Sequence, residues 1–142
     1  MILTDTNLLV YAWARSMPQH SAARRWLEQT MNSGIRVGMP WQVLLGFARL
    51  ATNPRIFPRA IPIAGAWQVI EFWLGHPNVW IPAAGERHRE ILSPLLPHTA
   101  GNANLIPDAH LAALAIEHGL LLCSADGDFA RFPGLRWKNP LL

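Results

Sequence analysis

The chain has 142 residues, of which 51% are hydrophobic and 15% are charged. This balance predicts a globular protein with a large apolar interior and excludes a disordered chain, and no apolar run approaches the roughly 20 residues of a transmembrane helix. Lys and Arg outnumber Asp and Glu by twelve to nine, giving a formal net charge of +3, which suits an anionic partner without identifying one. The length predicts a single domain spanning residues 1–142.

Cysteine usage and the N-terminal segment indicate the cellular compartment. The chain contains one cysteine, Cys123, so no internal disulfide is expected. Its first residues, MILTDTNLLVYAW, lack the basic start of a signal peptide. We therefore expect a reducing, cytoplasmic location without membrane attachment.

Short apolar runs alternate with helical patterns along the whole chain. Strands are predicted at Ile2–Asp5, Ile35–Met39, Val79–Ile81, Leu120–Ser124 and Leu135–Trp137. Helices are predicted at Asn7–Ala14, Ser21–Met31, Trp41–Ala51, Ile63–Leu74, Glu86–Leu96 and Asn104–His118, the last capped by Asn104 and closed by Gly119. The alternation predicts an α/β fold with a mainly parallel sheet that is covered on both faces.

All four aspartates of the chain are predicted to meet at one edge of this sheet. Asp5, Asp126 and Asp128 follow strands, and the carboxyl ends of parallel strands share an edge. Asp108 lies on the sheet-facing side of its helix, one turn before the apolar stripe that begins at Leu111. Helix capping explains any single aspartate equally well. Four together, with no lysine near them in sequence, favour a site for Mg²⁺ or Mn²⁺.

Three segments carry a resemblance to a known family. DTN after the first strand, DAHLAALAIEHG, and SADGDFARFPGLRWKNP resemble the PIN-domain ribonucleases, above all the VapC toxins of toxin–antitoxin pairs that are common in mycobacteria. The resemblance covers essentially the whole chain. It implies a three-layer α/β/α domain and a Mg²⁺- or Mn²⁺-dependent endoribonuclease that cleaves tRNA or ribosomal RNA. It also implies a homodimer and inhibition by a VapB-type antitoxin.

The resemblance assigns roles residue by residue. Asp5, Asp108 and Asp126 match the acidic metal-binding positions, and Asp128 matches an additional acidic position, so all four are expected to be catalytic. Asn7 and Ser124 match polar residues that support the carboxylates. For Asn7, a hydrogen bond to Asp5 and capping of the following helix are both open.

One position departs from the family pattern. Members of the family carry a glutamate immediately before the phenylalanine of the third predicted helix, and here that position is Gly46. Two explanations are open: close packing of this helix, or a missing metal ligand. We favour the missing ligand and expect reduced ribonuclease activity; a catalytically weakened module that still binds antitoxin and RNA is the alternative.

Other residue types are explained more simply. The six histidines show no paired zinc-ligand spacing. Trp26, Trp41 and Trp67 are expected in the core or in a subunit interface rather than against RNA bases. Arg49, Arg55 and Arg59 suit either phosphate contacts or a solvated surface.

Overall fold

The fold is organised around a five-stranded sheet in which every pair of neighbours is parallel. The computed structural model describes residues 1–142, and the strand order is β3-β2-β1-β4-β5. The strands are β1 (Ile2–Thr4), β2 (Val37–Gly38), β3 (Val79–Trp80), β4 (Leu121–Cys123) and β5 (Trp137–Lys138). In the centre of the sheet Ile2 pairs with Val37 on one side and with Leu121 on the other.

Six α-helices connect the strands. They are α1 (Thr6–Trp13), α2 (His20–Asn32), α3 (Trp41–Ala51), α4 (Ile63–Leu74), α5 (His88–Leu92) and α6 (Ile106–His118). Short 3₁₀ turns lie at Leu96–Thr99, Ala103–Leu105 and Gly127–Arg131. None of the six helices combines the length and the apolar character that a bilayer span requires.

Strand order and crossover handedness together distribute the helices over two layers. The chain moves from β1 through β2 to β3 towards one edge, then returns to β4 on the other side of β1. Because parallel crossovers are right-handed, α1 to α4 cover one face of the sheet, and α5 and α6 cover the other. Packing of α1 on α2 and α3, of α3 on α4, and of α5 on α6 agrees with this arrangement. The predicted three-layer α/β/α fold with a parallel sheet is confirmed.

The core lies between the sheet and both helix layers. Leu3, Val37 and Leu122 are buried on three adjacent strands, and Phe47 and Leu111 reach them from the two layers. Strands that are buried on both faces read as continuous apolar runs, which is why the sequence identified them. Each strand is nevertheless shorter than predicted, because only two or three residues take part in the ladders.

The predicted helix Glu86–Leu96 is wrong at both ends, since α5 comprises only His88–Leu92. At its start, the backbone N–H groups of Gly85 and Arg87 donate to the Glu117 carboxylate instead of belonging to a helix. At its end, Pro94 lacks the N–H that a continuing helix needs. The chain then forms the 3₁₀ turn at Leu96–Thr99.

Several other boundaries differ from the prediction. Helix α1 begins and ends one residue earlier than predicted, and α2 is one residue longer at each end. Asn104 does not cap α6: Asn102 caps the preceding 3₁₀ turn by accepting from the Asn104 N–H at 3.1 Å, and α6 begins at Ile106 without a side-chain cap. The last strand is Trp137–Lys138 rather than Leu135–Trp137. Gly119 does close α6, in the left-handed conformation with φ of 67°.

Candidate acidic active site

The four aspartates surround the point where the chain changes direction between β1 and β4. After β1 the chain turns towards β2, and after β4 it turns towards β5 on the opposite side. Such a reversal leaves a crevice beyond the carboxyl ends of the two strands, where ligands bind in open α/β sheets. The Asp5 N–H donates to the Cys123 carbonyl at 3.0 Å and so joins the two strand ends.

Ser124 organises this crevice. Its buried hydroxyl donates to Asp5 Oδ2 at 2.8 Å. Ser124 Oγ also accepts from Asn7 Nδ2 at 3.1 Å and from the Asp126 N–H at 3.0 Å. A serine hydroxyl offers one donor and two acceptor sites, so this one is fully used. Three of the predicted site residues are therefore fixed relative to one another by one side chain.

Asp5 has both carboxylate oxygens engaged. Oδ1 accepts from the Thr6 N–H at 2.7 Å, which makes Asp5 the N-cap of α1, and Oδ2 accepts from Ser124. Burial raises the pKa of Asp5 and the Asp126 charge raises it further, while its two hydrogen bonds oppose the shift. The capping explanation considered for the aspartates thus holds for Asp5 together with its place in the acidic group.

Asn7 does not bond Asp5 and does not cap α1, contrary to both roles considered for it. Its Nδ2 donates to Ser124, and its Oδ1 accepts from the Ala125 N–H at 3.3 Å. The capping role is already filled by Asp5. Asn7 supports Asp5 indirectly, because it holds the serine that donates to Asp5.

Asp126 and Asp128 form the rim of the crevice. Asp126 Oδ1 accepts from the Asp128 N–H at 2.9 Å and caps the 3₁₀ turn at Gly127–Arg131. Asp128 Oδ1 lies 3.1 Å from Arg131 Nη2 in a partly exposed ion pair. The sequence prediction missed Arg131, whose position three residues after Asp128 within a short turn was the available signal.

The pKa of Asp108 depends on all the other aspartates of the site. Burial and then the charges of Asp5, Asp126 and Asp128 raise its pKa to about 6, and Arg131 only partly opposes them. The N-terminus of α6, which carries Asp108, is joined to the start of α3 by Gln42, whose Nε2 donates to the Pro107 carbonyl at 3.1 Å. The structure therefore brings Asp108 within electrostatic range of the other three predicted carboxylates.

The chemistry of these donors suits a hard divalent cation. Only Asp128 has a cationic partner within salt-bridge distance, so three carboxylates are uncompensated. No three His, Cys, Asp or Glu side chains are arranged to close around one ion. Mg²⁺ and Mn²⁺ keep several waters and require only one or two carboxylates in direct contact, so the residues present fit such an ion.

Gly46 lies on α3 against the start of α1. A Cβ atom at this position would lie 2.8 Å from Thr6 Oγ1 and 3.3 Å from Thr6 Cγ2. The Thr6 hydroxyl is itself occupied, since it donates to the Val43 carbonyl at 3.2 Å. This contact supports the packing explanation for Gly46. Because Thr6 adjoins Asp5, the position also borders the acidic group, as the ligand explanation requires.

Comparison with protein families and relatives gives consistent matches. The model of the PIN domain family matches residues 2–135. Ribonuclease VapC37 of Mycobacterium tuberculosis is 41% identical over 140 residues, which covers 99% of this chain and 97% of the relative. Ribonuclease VapC33 of the same organism is 40% identical over 141 residues, or 99% of both chains.

Solved structures share the fold at low sequence identity. VapBC2 from Rickettsia felis, bound to a DNA fragment from its promoter, superposes with a TM-score of 0.69 at 18% identity and covers 98% of both chains. VapC20 of Mycobacterium tuberculosis, a toxin that cleaves the sarcin-ricin loop, gives a TM-score of 0.68 at 19% identity and covers 96% of this chain and 99% of that one.

Proposed function

The chain belongs to the PIN domain family, in the group of VapC-type ribonucleases, and from this premise we propose that it is a metal-dependent endoribonuclease toxin of a VapBC-type pair. The observation that carries the proposal is the Ser124 hydroxyl, which bonds Asp5, Asn7 and Asp126 beside Asp108, whose pKa is raised to about 6 by burial and by the charges of the other aspartates. Partly buried carboxylates that lack a cationic partner repel one another, so gathering them in a crevice costs free energy. A bound cation would remove that cost.

We assign the roles as follows. Asp5 and Asp108 hold Mg²⁺ or Mn²⁺, Asp126 holds the ion directly or through a water, and Asp128 lies at the periphery. Bound there, the ion supplies polarisation of the phosphoryl oxygen and activation of water near neutral pH. Ser124 and the Thr6 N–H orient Asp5, so that its carboxylate is positioned before substrate arrives. Asn7 keeps Ser124 in place.

We propose RNA of the tRNA or ribosomal class as substrate, and a VapB-type antitoxin and a second copy of the chain as protein partners. The support is threefold: the relatives named as ribonucleases, the similar fold of a VapBC complex, and the net charge of +3. A modest positive charge favours association with a polyanion.

The test is cleavage of total tRNA and ribosomal RNA by purified protein with Mg²⁺, with Mn²⁺ and with EDTA. We expect cleavage only with metal, and a loss of at least 100-fold in Asp5→Asn. Glu71→Gln, on the outward side of α4, is the matched control and should cleave as wild type does. Cleavage that survives both EDTA and Asp5→Asn would contradict the proposal.

A second candidate function follows from Gly46. Without the family glutamate, one oxygen donor is missing, and loss of a group that holds or supports a metal typically costs about 10–100-fold in affinity or activity. We propose that cleavage by this chain is reduced accordingly. If the reduction is complete, the chain is a module that binds antitoxin and RNA. The assay above then gives no metal-dependent products, while a gel-shift titration with the same RNAs shows binding.

A further inference from the structure

A cavity of about 540 Å³ opens at the end of α1 that lies away from the acidic site. The helix runs from Thr6 to Trp13, about 12 Å along its axis, so the cavity and Asp5 are at opposite ends of one element. The volume lies within the roughly 300–1,000 Å³ of ordinary ligand sites. Nothing in the catalytic proposal uses this cavity.

The walls of the cavity are largely apolar and are continuous with the core. Trp13, Phe57 and Pro58 line it, and the Trp13 and Phe57 rings pack edge to face with centroids 5.4 Å apart. Trp13 is also packed edge to face on Phe47, a fully buried core residue. The floor is therefore fixed by the core and does not depend on a ligand for its shape.

Two arginines stand at the rim. Arg15 and Arg59 line the cavity and are exposed, and neither makes a salt bridge with any of the nine acidic residues. By contrast, Arg24, Arg87 and Arg131 each pair with a carboxylate. No acidic residue lines the cavity. The combination is an apolar pocket beside two uncompensated guanidinium groups.

The lining residues distinguish between two classes of anionic ligand, a nucleic acid and an acidic peptide. A nucleobase carries polar edges that need both donors and acceptors, and the Ser16 hydroxyl is the only side-chain acceptor in the lining. An apolar peptide side chain needs none. Carboxylates on either side of such a side chain match the guanidinium groups, which bind carboxylates through paired hydrogen bonds.

We propose that this cavity is a docking site for an acidic peptide segment with an apolar anchor, contributed by the inhibitory antitoxin. The assignment of the partner rests on the proposed function; the chemistry of the segment rests on the cavity alone. The anchor side chain fills the space against Trp13 and Phe57, and flanking Asp or Glu side chains pair with Arg15 and Arg59. The partner is thus held about one helix length from the carboxylates that it controls.

The test uses a defined probe, a fluorescein-labelled hexapeptide with Trp-Leu flanked on each side by two Glu, titrated by fluorescence anisotropy at low salt. We expect saturable binding to wild type. The double substitution Arg15→Glu with Arg59→Glu should weaken it at least tenfold, and Ser16→Trp, which fills the cavity from its exposed rim, should weaken it to a similar degree. The same peptide with Lys in place of Glu should not bind.

The matched control is Arg49→Glu with Arg55→Glu, which changes the net charge equally at exposed, unpaired arginines outside the cavity and should leave peptide affinity unchanged. RNA cleavage by Ser16→Trp, which leaves the net charge unchanged, should equal that of wild type, so failure of the ribonuclease proposal is seen separately. The inference is overturned if wild type shows no saturable binding, or if the cavity variants bind the peptide normally. It is also overturned if they instead lose affinity for a 12-nucleotide single-stranded RNA.

Discussion

Individual residues of the acidic site act through a few short contacts. Ser124 bonds Asn7 and Asp5, which lie 117 and 119 residues away in sequence. Asp5 and Asp126 each cap a helical turn and also belong to the carboxylate group. Capping and metal binding, which the sequence presented as alternatives, are compatible because a carboxylate has two oxygens with several lone pairs.

Two substitutions at Gly46 distinguish the packing explanation from the ligand explanation. Gly46→Ala introduces the Cβ that would lie 2.8 Å from Thr6 Oγ1, so it should lower the melting temperature equally with and without Mn²⁺. Gly46→Glu introduces the same Cβ together with a carboxylate, so Mn²⁺ should recover stability in this variant only. RNA cleavage should rise in parallel.

A Thr6→Ala background removes the contacting hydroxyl and isolates the effect of the carboxylate. In that background we expect Gly46→Glu to gain metal affinity without the loss of stability. If the Glu and Ala variants respond identically to Mn²⁺ in both backgrounds, the missing-ligand explanation is wrong.

The raised pKa of Asp108 predicts that the stability of the metal-free protein depends on pH. Its pKa rises from an ordinary 3.8 to about 6 on folding, so the folded state binds the proton more tightly than the unfolded state does. The free energy of unfolding is therefore highest below about pH 4 with respect to this group, and falls as the pH rises through about 6. Asp5, whose pKa is also raised, contributes with the same sign.

Melting curves in EDTA between pH 4 and pH 7 measure this dependence. Asp108→Asn should flatten the decline, and Mg²⁺ or Mn²⁺ should stabilise wild type more at pH 7 than at pH 5, because protons compete with the ion. A metal-free protein that becomes steadily more stable from pH 5 to pH 7 would contradict the electrostatic description of the site.

At the scale of elements, distant contacts decide where helices begin. Residues 85–87 are polar enough to start a helix, yet the N–H groups of Gly85 and Arg87 bind Glu117 on α6. A Cβ at Gly85 would lie 2.5 Å from Glu117 Oε2, so this segment and α6 approach each other closely. The sequence window around residue 86 contains no information about Glu117, which explains the incorrect boundary.

Two glycines at the ends of helices should respond in opposite ways to the same substitution. Gly119 closes α6 at φ of 67°, a conformation that costs a residue with a Cβ roughly 1–2 kcal/mol. Gly65 lies in the first turn of α4 with ordinary backbone angles and room for a Cβ, whose nearest contact would be 3.6 Å from Ile61. Replacing it with Ala should stabilise by about 0.5–1 kcal/mol.

Chemical denaturation of Gly119→Ala and Gly65→Ala measures both effects in one experiment. We expect a lower midpoint for the first and a higher midpoint for the second. Equal shifts of the same sign would show that local backbone conformation does not control these two positions.

The whole molecule has an acidic end and an apolar flank. Asp5, Asp126 and Asp128 follow β1 and β4, and Asp108 joins them from the first turn of α6. Trp41 and Trp67, in contrast, stack on the α3–α4 surface with ring planes 9° apart. These two residues are 44% and 42% exposed, so they do not lie in the core, and of the two positions expected for them the subunit interface remains a prediction. Trp26, in contrast, packs against the core. Ile63, 66% exposed, extends the apolar flank.

An exposed aromatic pair of this kind predicts self-association through the α3–α4 surface. Sedimentation or light scattering should show a dimer for wild type and a shift towards monomer for Trp67→Glu. Phe72→Glu is the matched control: Phe72 lies five residues after Trp67 and so about 140° around α4 from it, on another face, and this variant should remain dimeric. A wild-type monomer at high protein concentration would contradict the prediction.

The sequence by itself determined the fold class, most elements and the identity of the acidic residues. Apolar runs identify buried strands because both faces of a parallel sheet are covered, and α3 and α4 match their predicted bounds because their apolar faces repeat with helical spacing. Only the tertiary structure decided that Ser124 fixes Asp5, that Thr6 fills the space beside Gly46, and that Arg15 and Arg59 share one cavity. These contacts join residues far apart in the chain, and local periodicity carries no information about which distant segments meet.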